Sequence, residues 1–300
     1  MDGDGKAFLC PENDHFYATS KYESLDPGEP EIRLIELRPG RRNDPIICKL
    51  LQPVSLSSSK QGYLAISYCA GDPADIEPIT LQDLQFNVFK PIAKVLTYIR
   101  KPHQSFHLWI DQLCIDQSNA EERAYQVSLM RYIYTEARET VAWLGYEDPN
   151  RIGDAFDLIR KICAGRKEFA DCLKPMFSEE DQDRKAWDIE HACDSDVALQ
   201  LQYQVILEPE DISPLEALVK LPWWTRCWIL QGAILSKCVK LVYGNDAILL
   251  DDIQNAYNAI VLCHRTMFLE YTQDNTSRTT ILKVVRRIVF GIYSDRFYQS

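Results

Sequence analysis

The stretch from His107 to Gly145 constrains the fold more than any other part of this chain of 300 residues. It begins with a short apolar run that ends at Asp111, the pattern of a buried strand that opens onto a site. A capping-box pattern, Ser118 followed by Glu121, predicts that a helix begins there. The run from Thr140 to Leu144 is β-branched and apolar and predicts a second strand. A strand, a crossover helix and a strand form a βαβ unit, so its two strands are predicted to be parallel.

The helix inside this unit is predicted to pack on a sheet through one apolar face. Its apolar side chains recur at intervals of three or four residues, which places them on one side of a helix. The predicted face consists of Ala124, Val127, Met130, Tyr134, Ala137 and Val141.

Apolar runs and the breaks between them predict further elements on either side of this unit. Strands are predicted at 32–37, 46–51, 63–70 and 239–243, and helices at 154–164 and 251–265. A turn and a helix are predicted over 79–100. Strands that alternate with helices in this way indicate an α/β fold.

Charge and hydrophobicity exclude several classes of protein. The net charge is −11, and no dense cluster of lysine and arginine occurs outside the C-terminal region, so we expect no nucleic-acid partner. No apolar run is long enough to cross a membrane, and the N-terminus is acidic where a signal peptide would be basic. We therefore expect a soluble, cytoplasmic protein without a membrane span.

The ten cysteines are spread along the chain without a CxxC pair, and only five histidines accompany them. Structural zinc requires clustered ligands, so we expect neither a metal site nor a cofactor. Most of the thiols are predicted to be buried in a reducing compartment. Cys69 and Cys114 allow a second interpretation, as nucleophiles activated by a histidine that approaches in space.

We expect three parts along the chain. Residues 1–30 form a loosely packed lead-in segment, residues 31–250 an α/β domain, and residues 251–300 a helical extension packed on that domain. A charged stretch at about 165–215 is predicted to be a helical insertion with a solvated face. The basic amphipathic pattern at 278–293 predicts a helix that docks on the domain, with a membrane surface or a partner as the alternative.

Three blocks, in this order, resemble the fungal HET (heterokaryon incompatibility) domain. They are YLAISYCAGDP at 63–73, the stretch at 108–145 that opens with LWIDQLCIDQ and closes with VAWLG, and LPWWTRCWILQG at 221–232. The resemblance spans about residues 22–250. It implies a relation to TIR domains, and therefore a flavodoxin-like or TIR-like parallel sheet flanked by helices, in agreement with the α/β fold predicted above.

The sequence departs from the family pattern at three positions. Ala70 stands where the family usually has tryptophan, and Asp116 where it usually has asparagine. Some TIR domains hydrolyse NAD with a glutamate in a WxxxE arrangement, and Gly232 occupies that position after Trp228. Because glycine cannot stabilise an oxocarbenium-like charge, the departure implies that NAD hydrolysis by this carboxylate is lost or replaced.

In an open parallel sheet, ligands bind beyond the carboxyl ends of the strands. By this rule three segments are expected to converge on one cleft. The candidate ligand-binding residues are Cys69, Gln112, Arg123, Trp223, Trp224 and Arg226, and the candidate catalytic residues are Asp111, Tyr68 and Glu122.

Each candidate also has a structural interpretation. Asp111 is an acid or base that is half removed from water, or it caps a turn by accepting the amides of Leu113 or Cys114. Glu122 either contacts a ligand or complements the positive end of a helix. Arg123 and Arg226 either clamp an anion or form buried ion pairs. The tryptophans either stack on a flat ligand or belong to the core.

Two classes of function remain. The resemblance implies a module for fungal nonself recognition that triggers cell death. Its expected partners are other HET or sensor proteins, and it can form a homo-oligomer. The alternative is a repurposed enzyme of secondary metabolism that binds a small-molecule ligand and catalyses a cyclisation, isomerisation or hydrolysis by acid–base chemistry. Asp111, Tyr68 or an arginine would carry that chemistry.

Overall fold

A computed structural model describes residues 10–19, 22–26, 28–146, 151–173, 209–225 and 235–256. These residues form two compact units. The first contains the described residues up to 146 together with 222–225 and 235–247, and the second contains 151–173, 209–221 and 248–256. No helix within these ranges is both long and apolar enough to cross a membrane.

The strands and helices are numbered in chain order. The strands are β1 (Glu31–Ile32), β2 (Ile35–Leu37), β3 (Ile47–Leu50), β4 (Val54–Ser55), β5 (Leu64–Tyr68), β6 (Ile76–Leu81), β7 (Leu84–Phe89), β8 (Phe106–Trp109), β9 (Glu139–Gly145), β10 (Val239–Tyr243) and β11 (Asp246–Leu249). The helices are α1 (Asp14–Thr19), α2 (Lys90–Ile99), α3 (Asp111–Cys114), α4 (Ala120–Glu136), α5 (Ile152–Leu173) and α6 (Pro209–Lys220), with 3-10 turns at Pro11–Asn13 and Pro222–Thr225. Residues 250–256 are also helical.

Nine of these strands form one sheet in the order β11-β10-β9-β5-β8-β2-β3-β6-β7, while β1 and β4 pair with each other. Strands β8 and β9 both lie parallel to β5, which they flank. This confirms the predicted α/β fold and the parallel strands of the βαβ unit. Every residue of β5 is buried, as expected for a parallel strand covered on both faces.

The sheet is mixed, with the parallel strands β8, β5, β9 and β10 beside antiparallel pairs. The finer likeness to a flavodoxin-like or TIR-like sheet stays a prediction. Strand β2 is antiparallel to both β3 and β8, and β7 is antiparallel to β6. For β6 and β7 the reason is the length of the connection, because two residues join them and a parallel pair requires a crossover of a dozen residues or more.

The hairpin of β6 and β7 replaces the turn that was predicted before helix α2. Its two loop residues, Gln82 and Asp83, have φ values of 52° and 64°. Positive φ at both central residues defines the hairpin turn that matches strand twist. The helix predicted within 79–100 begins only at Lys90.

Helix α4 begins close to the predicted start but ends at Glu136, so Ala137 and Val141 of the predicted face lie beyond it. Its cap and its buried face also differ from the prediction. Asn119, not Ser118, accepts hydrogen bonds from the amides of the first helical turn, while Ser118 donates to Asp116. The buried residues are Gln126, Leu129, Ile133 and Tyr134. Ala124 and Val127, which were predicted to face the sheet, are exposed.

Residues 10–19 pack more closely than the loose segment expected there. The side chains of Asn13 and Phe16 are each 1% exposed, and the Phe16 ring meets the Phe86 ring edge to face at 4.9 Å. The Asn13 carboxamide forms a reciprocal pair with the backbone of Asn87 at 2.7 and 2.9 Å. Because β7 is the edge strand of the sheet, Asn13 satisfies backbone groups that an edge leaves unpaired.

In the second unit, α5 confirms the helix predicted at 154–164 and continues to Leu173. Phe156, Ile159 and Ile162 are buried, as the periodicity indicates. The middle of the proposed insertion and the basic stretch at 278–293 lie outside the described residues. The three-part division of the chain therefore stays a prediction.

Candidate functional site

The adjacent ends of strands β5 and β8 bring Tyr68 and Asp111 together. Tyr68 is the last residue of β5, and Asp111 begins α3 directly after β8. Because β5 and β8 are parallel neighbours, their carboxyl ends meet at the same edge of the sheet. The Tyr68 hydroxyl donates a hydrogen bond of 2.7 Å to Oδ1 of Asp111. A phenol is thus paired with a carboxylate where ligands bind in open α/β sheets.

Three further hydrogen bonds fix the Asp111 carboxylate and the turn it begins. Its Oδ1 also accepts the backbone amide of Gln112 at 2.7 Å, while the amides of Leu113 and Cys114 donate to the carbonyl of Ile110. The structural interpretation assigned the amides of Leu113 or Cys114 to this carboxylate. The carboxylate instead accepts the amide of Gln112. Asp111 is half-buried and Tyr68 is 5% exposed, so the pair lies at the boundary between core and surface.

Gln112 connects this edge of the sheet to the start of helix α2. Its side chain is fully buried, and Oε1 accepts the backbone amide of Phe89 at 3.1 Å. This contact fixes the orientation of the carboxamide, because only the oxygen can accept from an amide. The Nε2 group of Gln112 is buried and has no hydrogen-bond partner among the residues that the structure describes. It retains donor capacity that a water or a ligand oxygen can use.

Glu122 belongs to a buried ion pair with Arg33. The guanidinium contacts both carboxylate oxygens, at 2.5 and 2.9 Å, and Arg33 is 2% exposed. Oε1 of Glu122 also accepts the amide of Asp116 at 2.8 Å, and Nη1 of Arg33 donates to the carbonyl of Cys114 at 3.4 Å. The pair thereby binds both sides of the turn that follows Asp111. Arg33, the partner of Glu122, was not identified from the sequence. The available signal was an arginine within the apolar run IRLIEL.

Arg123 stabilises the same turn from another side. It donates to the backbone carbonyl of Gln117, whose own Nε2 donates to the carbonyl of Asp111 at 2.8 Å. Gln117 is almost completely buried. This chain of hydrogen bonds is a positioning arrangement for the segment that carries Asp111. Binding of an anion by Arg123 stays a prediction.

The aromatic loop at Pro222–Thr225 contacts strand β5 through Trp223. The Trp223 side chain is 1% exposed, and its Nε1 donates to Oγ of Ser67 at 3.1 Å. The Trp223 and Trp224 rings meet edge to face at 4.9 Å. Successive side chains of a strand point to opposite faces of the sheet, so Ser67 and its partner Trp223 lie on the face opposite to Tyr68.

The three predicted segments therefore adjoin one another around β5. The structure joins Tyr68 to Asp111 directly, whereas Trp223 contacts the neighbouring residue on the other face. Cys69 is half-buried directly after Tyr68. Arg226, Trp228 and Gly232 lie outside the described residues. A single cleft lined by all the candidates stays a prediction.

The buried thiol of Cys114 has no sign of nucleophilic activation. Cys114 is 1% exposed, and its Sγ accepts the Ile110 amide at 3.3 Å. Burial raises the pKa of this thiol to about 12, which keeps it protonated. A protonated thiol is a poor nucleophile and a poor metal ligand. Within the ranges that the structure describes, no group of histidine, cysteine and acidic side chains has the arrangement of a metal site.

Comparison with known proteins identifies the class to which this fold and site belong. The sequence model of the heterokaryon incompatibility protein (HET) family matches residues 63–232, which is more than half of the chain. The chain therefore belongs to the HET family, and the resemblance carried by the three sequence blocks is confirmed. The matched region contains Tyr68, Asp111 and Trp223.

One relative within this class is heterokaryon incompatibility protein 6, OR allele, of Neurospora crassa. It is 26% identical to this chain over 302 aligned positions, which cover 92% of the chain and 43% of the relative. The chain thus spans less than half the length of that relative. No solved structure matches the chain.

Proposed function

We propose that this protein is a heterokaryon incompatibility module that contributes to fungal nonself recognition and triggers cell death when it is expressed. The observation that carries the proposal is the HET family match over 63–232, which includes the paired ends of β5 and β8. The Neurospora crassa relative, whose name refers to the same process, supports it over 92% of the chain. This chain covers only 43% of that relative, so an activity that belongs to the complete relative is only proposed for this chain.

The functional centre in this proposal is the pair formed by Tyr68 and Asp111. A phenol and a carboxylate in hydrogen-bond contact can exchange a proton with a bound molecule. The buried Glu122 and Arg33 pair and the contacts of Gln117 hold the turn that carries Asp111. These supporting contacts are what a site needs if its geometry is to be maintained in solution.

Expression in a fungal host tests the incompatibility role. Wild-type protein is expected to arrest growth, whereas Asp111→Asn and Tyr68→Phe at equal protein levels are expected to allow growth. The matched control is Asp83→Asn, because Asp83 is exposed in the turn between β6 and β7 and asparagine tolerates its positive φ. Normal growth of the wild-type strain would contradict the proposal, and equal arrest by all four proteins would exclude the Tyr68 and Asp111 pair as its centre.

We further propose that the activity does not use NAD hydrolysis by the TIR-like carboxylate. The basis is the sequence, in which Gly232 stands where that glutamate would follow Trp228. Purified protein incubated with NAD is expected to release nicotinamide at the rate of a blank without enzyme. Clear turnover would contradict this statement. The Gly232→Glu variant shows whether restoring the carboxylate is sufficient for hydrolysis.

A small-molecule enzyme is the second candidate function, and the 2.7 Å contact of Tyr68 with Asp111 favours it. A phenol and a carboxylate in hydrogen-bond contact are able to move a proton in a cyclisation, isomerisation or hydrolysis. Ala70 and Gly232 are small where the family has large or charged residues, which would enlarge a pocket for a substrate. This function predicts a new metabolite in the wild-type strain, its absence with Asp111→Asn, and normal growth of both.

A further inference from the structure

Helix α2 begins at the edge of the sheet where the parallel strands end. The amide of its N-cap residue, Phe89, donates to Gln112, which belongs to the short helix that follows β8. The Nζ atoms of Lys90 and Lys94, near the start of α2, lie 6.0 and 5.8 Å from the centroid of the Tyr146 ring. Tyr146 directly follows β9. Because β5, β8 and β9 are parallel, their carboxyl ends lie at one edge, and the start of α2 lies beside it.

The helix also lies on the same face of the sheet as Tyr68. Tyr68 and Trp143 occupy the same position in neighbouring parallel strands, so their side chains project from one face. The centroid of the Tyr98 ring of α2 lies 5.9 Å from that of Trp143, which places the helix on this face. Asp111 reaches the same face, since its carboxylate accepts the hydrogen bond of the Tyr68 hydroxyl. The start of α2 and the pair formed by Tyr68 and Asp111 therefore border one region of the molecule.

The start of α2 carries positive charge. A helix N-terminus has a partial positive charge, and the first turn of α2, which the structure describes in full, contains no acidic residue. Lys90 and Lys94 add two full charges there. Their acidic partners are Asp75 at 3.2 Å and Glu77 at 2.9 Å, and these two carboxylates are 53% and 35% exposed. Exposed ion pairs contribute little free energy, so either lysine can turn to a ligand at small cost.

Two buried N–H donors on this side of the sheet lack an acceptor among the residues that the structure describes. They are Nε2 of Gln112 and Nε1 of Trp143, in side chains that are 0% and 4% exposed. The 3.1 Å hydrogen bond between Oε1 of Gln112 and the Phe89 amide holds this carboxamide, with its donor, at the N-terminus of α2. A buried donor without an acceptor destabilises a fold, and an oxygen placed beside it removes that cost.

We propose that the start of α2 binds an oxyanion, a phosphate or carboxylate group of a small-molecule ligand, beside Tyr68 and Asp111. Lys90 and Lys94 supply charge, and Nε2 of Gln112 supplies a directed hydrogen bond. An oxygen acceptor fits this place better than a cation, because the buried groups without partners are N–H donors. The exposed lysine side chains rearrange to admit the group. This inference is independent of the incompatibility role, because it concerns binding by the purified chain.

Titration of the isotope-labelled chain with inorganic phosphate, and separately with acetate, tests this site by NMR. The two arms distinguish the phosphate from the carboxylate, and chloride at the same ionic strength is the reference. With at least one of the two oxyanions, we expect saturable shifts of the side-chain NH2 of Gln112 and of the indole N–H of Trp143. Shifts that do not saturate with either oxyanion, or that chloride reproduces, would overturn the proposal.

Two lysine variants separate this site from general attraction of anions. Lys90→Gln is expected to raise the dissociation constant of the oxyanion about tenfold, as for the loss of one hydrogen bond to a charged group. The matched control is Lys60→Gln, because Lys60 also pairs with a glutamate at the surface but lies before the amino end of β5. Its dissociation constant is expected to equal that of the wild type. An unchanged value for Lys90→Gln, or equal weakening by both variants, would contradict the proposal.

Discussion

At the scale of single residues, the ion pair of Arg33 and Glu122 is the most informative finding. Both side chains are largely removed from water, at 2% and 11% exposure. Each charge depends on the other, because an unpaired charge in such a place costs several kcal/mol. The pair joins the segment between β1 and β2 to the start of α4, and it contacts the turn after Asp111. Its first role is therefore to hold the edge of the sheet where the candidate site lies.

Replacing the carboxylate of this pair should destabilise the fold strongly. Glu122→Gln leaves the buried Arg33 without a counter-charge, so we expect the free energy of unfolding to fall by about 3 kcal/mol. Glu121→Gln is the control, because that neighbouring side chain is exposed and its loss should cost less than about 1 kcal/mol. Urea denaturation followed by circular dichroism measures both values. Equal midpoints for the two variants would show that the pair does not contribute as described.

Two buried thiols give the fold a weakness at alkaline pH. Burial raises the pKa of both Cys48 and Cys114 from 9.0 to about 12. Above pH 9 the unfolded chain releases these protons while the folded chain retains them. The folded state then binds more protons, so the free energy of unfolding decreases as the pH rises from 9 toward 12.

The predicted slope is at most about 1.4 kcal/mol per pH unit for each of these thiols. Urea titrations at several pH values between 8 and 10 are expected to show a shallower decline for the Cys48→Ala, Cys114→Ala double variant than for the wild type. The slope is the readout, since the cavities left by the two substitutions lower stability at every pH. Parallel slopes for both proteins would contradict the assignment.

At the scale of elements, the hairpin of β6 and β7 shows how this sheet protects its edge. Strand β7 is the last strand of the sheet, and its outward amides at Asn87 and Phe89 donate to the side chains of Asn13 and Gln112. Side-chain carboxamides thus replace a further strand. This arrangement satisfies the edge and leaves less of it available to pair with another chain.

Removal of the Asn13 carboxamide should expose this edge locally. In Asn13→Ala, the amide of Asn87 loses its acceptor, so we expect its hydrogen exchange to accelerate by about tenfold or more. The amide of Val88 points toward β6 and serves as the internal control, because amides alternate in direction along an antiparallel strand. Residue-resolved exchange by NMR distinguishes the two. Equal acceleration at both positions would indicate general unfolding of the hairpin and not loss of one edge contact.

The same elements show why some of the fold was predictable and some was not. The strands and helix of the βαβ unit were predicted because apolar periodicity reports burial directly. The hairpin was not, since its loop is Gln82 and Asp83 in place of the usual Asn-Gly, and Pro78 argues against a strand. Pro78 is tolerated because β6 pairs with β3 only at Thr80 and Leu81. The buried face of α4 was misassigned because that helix has apolar side chains on both sides.

At the scale of the whole molecule, the candidate site depends on how the strand order joins distant segments. The rule that ligands bind at the carboxyl ends of parallel strands anticipated that Tyr68 and Asp111 would be close. It did not anticipate that Ser67 would direct Trp223 to the other face, because which of two successive side chains a loop contacts is decided by packing. The arginine in the apolar run IRLIEL signalled a buried charge, but its pairing with Glu122 was out of reach of the sequence, since the two residues are 89 positions apart.

The central claim is that this HET family member arrests fungal growth through a mechanism other than NAD hydrolysis. The most direct measurement follows growth and total cellular NAD together in a fungal host after the wild-type chain is induced, with Asp111→Asn as the matched strain. The account predicts that growth stops in the wild-type strain while its NAD content stays equal to that of the Asp111→Asn strain. A fall in NAD that precedes the arrest, or unimpeded growth at the same protein level, would contradict it.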